Sequence, residues 1–281
     1  MSQDTGFIND WFVREFVFHP EGAYAGEVRQ RRTIHRINHD TLRVHQECVP
    51  EARLKGTIME AFKGSYSFNL KTSGHRRIYL GPDVVGEGLA LGDGRMIGTG
   101  LWPRFGHNFH SYGIVTRSGL QLTGGEFYSG PQLGSFIIGV AQPGSYWAGD
   151  ISDITTPNPK YQSYIGEASL LNNEGKTLWQ GSYDRRYHQE ASGFTDTVVD
   201  KAYTTSITEQ EGRQTHDHQG FIGIAKTYGS SQVIKGFRGQ WSYSAHEIMD
   251  PDTRNLHIII RLYKDQQWRF AAIVNLKPER T

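Results

Sequence analysis

The sequence predicts an all-β chain made of two tandem antiparallel β-barrel units related by internal duplication. Three observations carry this. Apolar and polar residues alternate with a period of two, glycines and aromatics punctuate the chain at turn-like intervals, and motifs recur about 155 residues apart. At 281 residues the chain has room for two domains. Its 33 glycines and 37% hydrophobic content suit short strands and tight turns better than long helices.

The repeat sets the architecture. "EGAYAGEVRQRR" from Glu21 answers "EGKTLWQGSYDRR" from Glu174, and "DTLRV" from Asp40 answers "DTVVD" from Asp196. "KTSG" from Lys71 answers "KTYG" from Lys226, and "FHSYGIV" from Phe109 answers "WRFAAIV" from Trp268. The offset drifts by a few residues, as loop insertions in a duplicated unit would make it. The units are expected over residues 1–145 and 161–281, joined by a Gly-, Pro- and Asp-containing connection over 146–160. Thr116 to Val140 find no counterpart after Val274, and are expected to be extra strands of the first unit or a swap between the two.

Element by element, "FINDWFVREF" from Phe7 is the one stretch with a helix-like apolar stripe. Leu42, Val44, Gln46 and Cys48 then alternate with Arg43, His45 and Glu47, and Tyr66, Phe68 and Leu70 alternate with Ser65, Ser67 and Asn69. "GEGLAL" and "MIGTGL" flank Gly92-Asp93-Gly94, a hairpin signal because glycine supplies the positive φ such turns need. In the second unit Trp241, Tyr243 and Ala245 lead to a Pro-containing turn at Asp250 to Thr253. Leu256, Ile258, Ile260 and Leu262 follow, then Trp268, Phe270, Ala272 and Val274. Each unit holds roughly seven to nine strands, the content of a small closed barrel, whose closure removes exposed sheet edges.

Charge excludes some functions. Thirty Lys and Arg nearly balance 29 Asp and Glu, so no global field recruits nucleic acid or an anionic membrane. No stretch is long and apolar enough to span a bilayer. The single cysteine, Cys48, sits in an apolar strand row and reads as core. No phosphate-binding loop, GxSxG elbow, CxxC pair or HExxH motif occurs, so no cofactor is expected. The chain is expected to be cytoplasmic and soluble, with homo-oligomerisation open.

An aromatic-x-Gly step opens each unit, Tyr24-Ala25-Gly26 and Trp179-Gln180-Gly181, and a meander of strands follows. The chain therefore resembles the calycin superfamily of lipocalin-like barrels. In the lipocalin signature glycine precedes the aromatic, whereas here it follows; Arg31 and Arg186 are candidates for the arginine that packs there. The resemblance implies an internal cavity for an apolar or aromatic small molecule and fixes no reaction.

Residues shared by both copies, such as Asp40/Asp196, Lys71/Lys226 and Arg31/Arg186, read as scaffold; unshared polar residues read as candidates for chemistry. "GHNFHSY" is unshared, with His110 and Tyr112 on one strand face and Phe109 and Ser111 on the other. His110 is the expected acid or base, with Tyr112 and Arg104 orienting the substrate or stabilising charge. Trp102, Phe105 and His107 are expected to line the binding site. In the second unit, Trp241 and Tyr243 share a face with Phe237, while Arg238 and His246 on the opposite face are further substrate-binding candidates. His216 and His218 have metal-ligand spacing, but the glutamate of the cupin pattern is missing. Their hydrophilic flank predicts an exposed hairpin, so no metal site is assigned.

The leading expectation is a cofactor-independent cyclase, isomerase or lyase of secondary metabolism. It would act on a hydrophobic intermediate in an aromatic-lined cavity. The alternatives are a carrier of an apolar ligand or pigment, and an interaction scaffold.

Overall fold

The computed structural model describes residues 9–92, 94–144, 163–188, 193–210, 213–228, 231–250, 252–265 and 267–279. The chain is all-β and forms two compact units, each containing one closed antiparallel barrel of ten strands. The proposed connection over 146–160 lies outside the described residues.

The first barrel comprises β1 (Asp10–Phe18), β2 (Tyr24–Arg36), β3 (Thr41–Pro50), β4 (Gly64–Ser73) and β5 (Arg76–Leu80). It continues with β6 (Val85–Gly92), β7 (Arg95–Trp102), β8 (His107–Val115), β9 (Gln121–Ser129) and β10 (Gln132–Pro143). The second comprises β11 (Ser163–Asn172), β12 (Thr177–Tyr187), β13 (Gly193–Val198), β14 (Lys201–Gln210) and β15 (Arg213–His218). It ends with β16 (Phe221–Tyr228), β17 (Ser231–Arg238), β18 (Trp241–Met249), β19 (Leu256–Lys264) and β20 (Gln267–Pro278). Each strand pairs with its sequence neighbours, and the first and last strands close the ring: β1 with β10, β11 with β20.

Several expectations are corrected by this topology. The helix-like stripe near the start is β1, because Trp11, Val13 and Val17 alternate into the barrel and tertiary pairing on both sides overrides the local pattern. Thr116 to Val140 are neither extra nor swapped; they supply β9 and most of β10, whose counterparts are β19 and β20. The repeat is real, but three of its four sequence anchors are not equivalent. Asp40 precedes β3 while Asp196 lies within β13; Lys71 is in the fourth strand of its barrel and Lys226 in the sixth; Phe109 is in the eighth and Trp268 in the tenth.

The true equivalence is written in strand register. Trp11 pairs with Pro143 and Arg32, and Tyr164 pairs with Pro278 and Arg185. Arg32 and Arg185 therefore occupy the same place, 153 residues apart, as do Glu21 and Glu174 of the one sound anchor. The shared bulge agrees: the register shifts at Val17/Phe18 in β1 and at Leu170/Leu171 in β11. Tyr24 then matches Thr177, so the two aromatic-x-Gly steps are out of register by two residues.

Inward rows make each core. In the first barrel these include Val28, Leu42, Val44, Phe68, Leu70, Tyr79, Trp102 and Phe109. Two 3-10 turns between β3 and β4, Ala52–Leu54 and Ile58–Phe62, bury Leu54, Met59 and Phe62 against this core. Thr57 caps the second turn by accepting a hydrogen bond from the Met59 backbone N–H at 3.3 Å.

Candidate functional site

A cavity of about 170 Å³ lies inside the first barrel. Part of its lining is aromatic and is backed by further rings. Phe62 meets Trp102 edge-on at 5.0 Å, Phe105 at 5.1 Å and Phe127 at 4.9 Å between ring centroids. Tyr66 packs on Trp102 at 5.2 Å, and Tyr79 on Phe68 and Phe109 at 5.8 and 6.0 Å. Burial pushes the Tyr66 hydroxyl up to about 12, so it stays protonated and donates to the Ala61 carbonyl.

Another part of the lining is polar. Arg32 from β2 reaches into the barrel, donating from Nη1 to Gln121 Oε1 at 3.1 Å and from Nη2 to Gln30 Oε1 at 3.2 Å. Gln46 Nε2 donates to the same Gln30 oxygen at 3.2 Å, and Gln30 Nε2 donates to Glu15 Oε2 at 2.5 Å. Glu15 and Arg32 are loosely paired, 3.9 Å apart. Burial raises the Glu15 carboxyl above the usual range, with Arg32 and Gln30 pulling the other way. Burial likewise lowers Arg32, opposed by Glu15, and pushes the Cys48 thiol up, so Cys48 is no nucleophile. Arg32 Nε and Thr123 Oγ1 are buried without a hydrogen-bond partner.

The sequence-predicted residues divide sharply. Trp102, Phe105 and His107 cluster on Phe62, and of the three Trp102 lines the cavity; His107 stacks on Phe62 at 6.5 Å, and burial lowers its pKa. His110 and Tyr112 do share a strand face, but it is the face opposite Phe109, which packs in the core. Both border the cavity along β8, yet the Tyr112 ring lies over Gly124, where a Cβ would strike it. His110 Nδ1 is 3.4 Å from Glu126 Oε2, a carboxylate on that same face that also accepts from the Tyr128 hydroxyl. Arg104 is exposed on the β7–β8 turn, 5.6 Å from the Phe105 ring, and does not join His110 and Tyr112.

In the second barrel, Tyr243 is an interior residue and His246 lies on the opposite face with Ser244 and Arg261. Trp241 sits 5.9 Å from Lys264 Nζ, and Arg238 is exposed near Phe221. Phe237 does not share the Tyr243 face; it pairs with Ser242 and is half exposed, because the turn between β17 and β18 shifts the parity. His216 and His218 are not on an exposed hairpin. His216 is 3% exposed and its Nε2 is 2.6 Å from the Tyr243 hydroxyl, while His218 Nδ1 is 2.6 Å from Thr205 Oγ1. Burial depresses His216 to about 4, with His218 adding to the shift. Among the described residues no group of three or more His, Cys, Asp and Glu could hold a metal.

Arg185 dominates this second interior. Its Nε and Nη2 donate to Asp196 at 2.7 and 3.0 Å, its Nη1 donates to Glu247 at 2.5 Å, and it lies 3.7 Å over the Phe194 ring. Burial opposes its charge, but the two carboxylates outweigh that and hold its pKa well above normal.

The residues that sequence reasoning missed are Glu15, Gln30, Arg32, Gln46, Gln121 and Thr123. Their signal was present: Gln30 and Arg32 interrupt the inward row of Val28 and Ile34, and Gln46 interrupts that of Leu42, Val44 and Cys48.

The chain is similar in fold to a protein of unknown function from the DUF3598 family of Nostoc punctiforme. The two share 11% identity with a TM-score of 0.64, covering 99% of this chain and 100% of that one. A putative outer membrane protein of Bacteroides fragilis (TM-score 0.28, 11% identity, 99% and 100% covered) and kievitone hydratase of Nectria haematococca (0.20, 9%, 96% and 89%) are far weaker likenesses and carry no argument. No family model matches the chain, and no curated protein does. Among the described residues no helix is long and apolar enough to cross a membrane.

Proposed function

We propose that the chain is a lipocalin-like binding protein whose first barrel holds a small apolar, ring-bearing molecule. One observation carries the reading: a cavity of about 170 Å³ that joins an aromatic wall to a few convergent polar groups. Dry cavities of about 150 Å³ accept a single aromatic ring, so the space suits a molecule of that order. Edge-to-face contacts from Phe68, Tyr79 and Phe109 would hold the ring.

The test is calorimetric titration with ethylbenzene against the intact chain and Val44→Phe. Val44 lines the cavity, and the larger side chain fills it. Saturable binding to the intact chain and at least a tenfold loss in a folded Val44→Phe protein are expected. Equal binding by both would sink the reading.

A second reading, a cofactor-independent cyclase, isomerase or lyase, is favoured by Glu15. Its carboxyl borders the cavity, and burial raises its pKa above the usual carboxylate range, which favours a role in proton transfer. It takes the place of His110, whose side chain is on the other face. That reading requires turnover of an identified substrate to collapse in Glu15→Gln.

A further inference from the structure

The two barrels carry the same arginine in different company. Arg32 and Arg185 are equivalent in register, and their cross-strand partners are Gln46 and Asp196. Following the ladder the other way, Glu15 pairs with Gly139, Gly139 with Thr123 and Thr123 with Gly113. Ala168 likewise pairs with Val274, Val274 with Ile258 and Ile258 with Glu247. Gly113 therefore stands where the second barrel has Glu247, and Gln46 where it has Asp196. Both carboxylates that neutralise Arg185 are missing around Arg32.

What replaces them is incomplete. Arg32 is held by two neutral amide oxygens, while its Nε and the nearby Thr123 hydroxyl lack partners. Glu15, the equivalent of Ala168, approaches no nearer than 3.9 Å. By contrast Arg14 grips Glu27 with two bonds of 2.8 and 2.7 Å. A Cβ on Gly139 would strike Thr123 Oγ1 and crowd Glu15 Cγ, so the glycine lets these two groups close together over β10, and both border the cavity with Arg32.

We propose that the first barrel binds a ring-bearing carboxylic acid as its anion, the ligand's carboxylate supplying to Arg32 what Asp196 and Glu247 supply to Arg185. The proposal rests on the cavity reading above and narrows its ligand. The guanidinium fork offers Nε and an Nη to two carboxylate oxygens, and Thr123 adds a hydroxyl donor. Charge must balance around groups so deeply buried: Arg32 and Glu15 are neutral together, so an entering anion brings one proton from solvent onto Glu15. The titratable groups around Glu15 where it borders the cavity are Arg32 on β2, Cys48 on β3 and Tyr79 on β5, while β9 presents Gln121 and Thr123 and β10 presents Gly139. Cys48 stays protonated, which leaves Glu15 to take the proton.

The experiment titrates 4-ethylbenzoate, 4-ethylbenzamide and ethylbenzene by calorimetry in buffers of different ionisation enthalpy. At pH 6 the benzoate is expected to bind at least tenfold more tightly than the amide. Its binding takes up to one proton, and its affinity falls by as much as about tenfold per pH unit above the point where free Glu15 ionises. Glu15→Gln binds the benzoate without that pH dependence. Arg32→Met loses the preference but keeps ethylbenzene; Arg32→Lys, which retains the charge without the fork, serves should the methionine variant not fold. Ethylbenzene binding with no benzoate preference or proton uptake overturns the anion inference and leaves the cavity reading standing. Failure of all three probes on folded protein overturns both.

Discussion

At the scale of single residues, the arginine pair explains more than any motif. Arg185 is buried with two carboxylates and an aromatic face, so removing it strands Asp196 and Glu247. Arg185→Met is expected to destabilise the second barrel by about 3–5 kcal/mol. Arg32→Met strands only Glu15, 3.9 Å away and able to take up a proton, so it is expected to cost clearly less. Differential scanning calorimetry of the two variants checks the contrast, and equal losses would mean that the two arginines do the same structural work. This pair also marks what a reading of the sequence can miss. Arg31 and Arg186 were matched by identity, yet both are exposed, whereas Arg32 and Arg185 are matched by register and point inward. Letter-for-letter similarity picked residues one step away from those that matter, and in a strand one step is the other face.

At the scale of strands, period-two patterning was legible wherever an inward row was continuous. Leu42, Val44, Gln46 and Cys48 were read correctly as one row, and so was the face shared by His110 and Tyr112. Which face looked inward was not legible for β8, because Phe109 and Tyr112 are equally apolar signals on opposite sides. The decision comes from other strands, where Tyr79 of β5 and Phe127 of β9 pack on Phe109. The glycines of β6 and β7 have a related role that sequence alone hides. Gly88 and Gly98 make room for the Tyr79 hydroxyl, which a Cβ at Gly98 would strike. Gly98→Ala is expected to cost about 1–3 kcal/mol by overpacking. Adding Tyr79→Phe should restore part of the loss in a double-mutant cycle, since the hydroxyl is the nearest colliding atom, ahead of Ser111 Oγ. No rescue would place the strain elsewhere.

At the scale of the molecule, the duplication made two barrels and then let their interiors diverge. The second fills the region around its arginine with Asp196, Glu247, Val274 and Ile258; the first has Gln46, Gly113, Gly139 and Thr123 there, and a cavity remains. The shared arginine is held by two carboxylates in the second barrel and by neutral amides in the first, so the difference between the copies lies in what surrounds a common residue. The two-barrel, all-β architecture was legible from alternation and repetition, though the ten-strand count was not, because β9 and β10 lacked recognisable sequence counterparts. The central claim is that the first barrel is the binding barrel. Crystals soaked in iodobenzene test it most directly, since iodine is located by its anomalous signal. The account expects a peak inside the first barrel among Phe68, Tyr79 and Phe109, and iodine confined to the second barrel or to surface sites would contradict it.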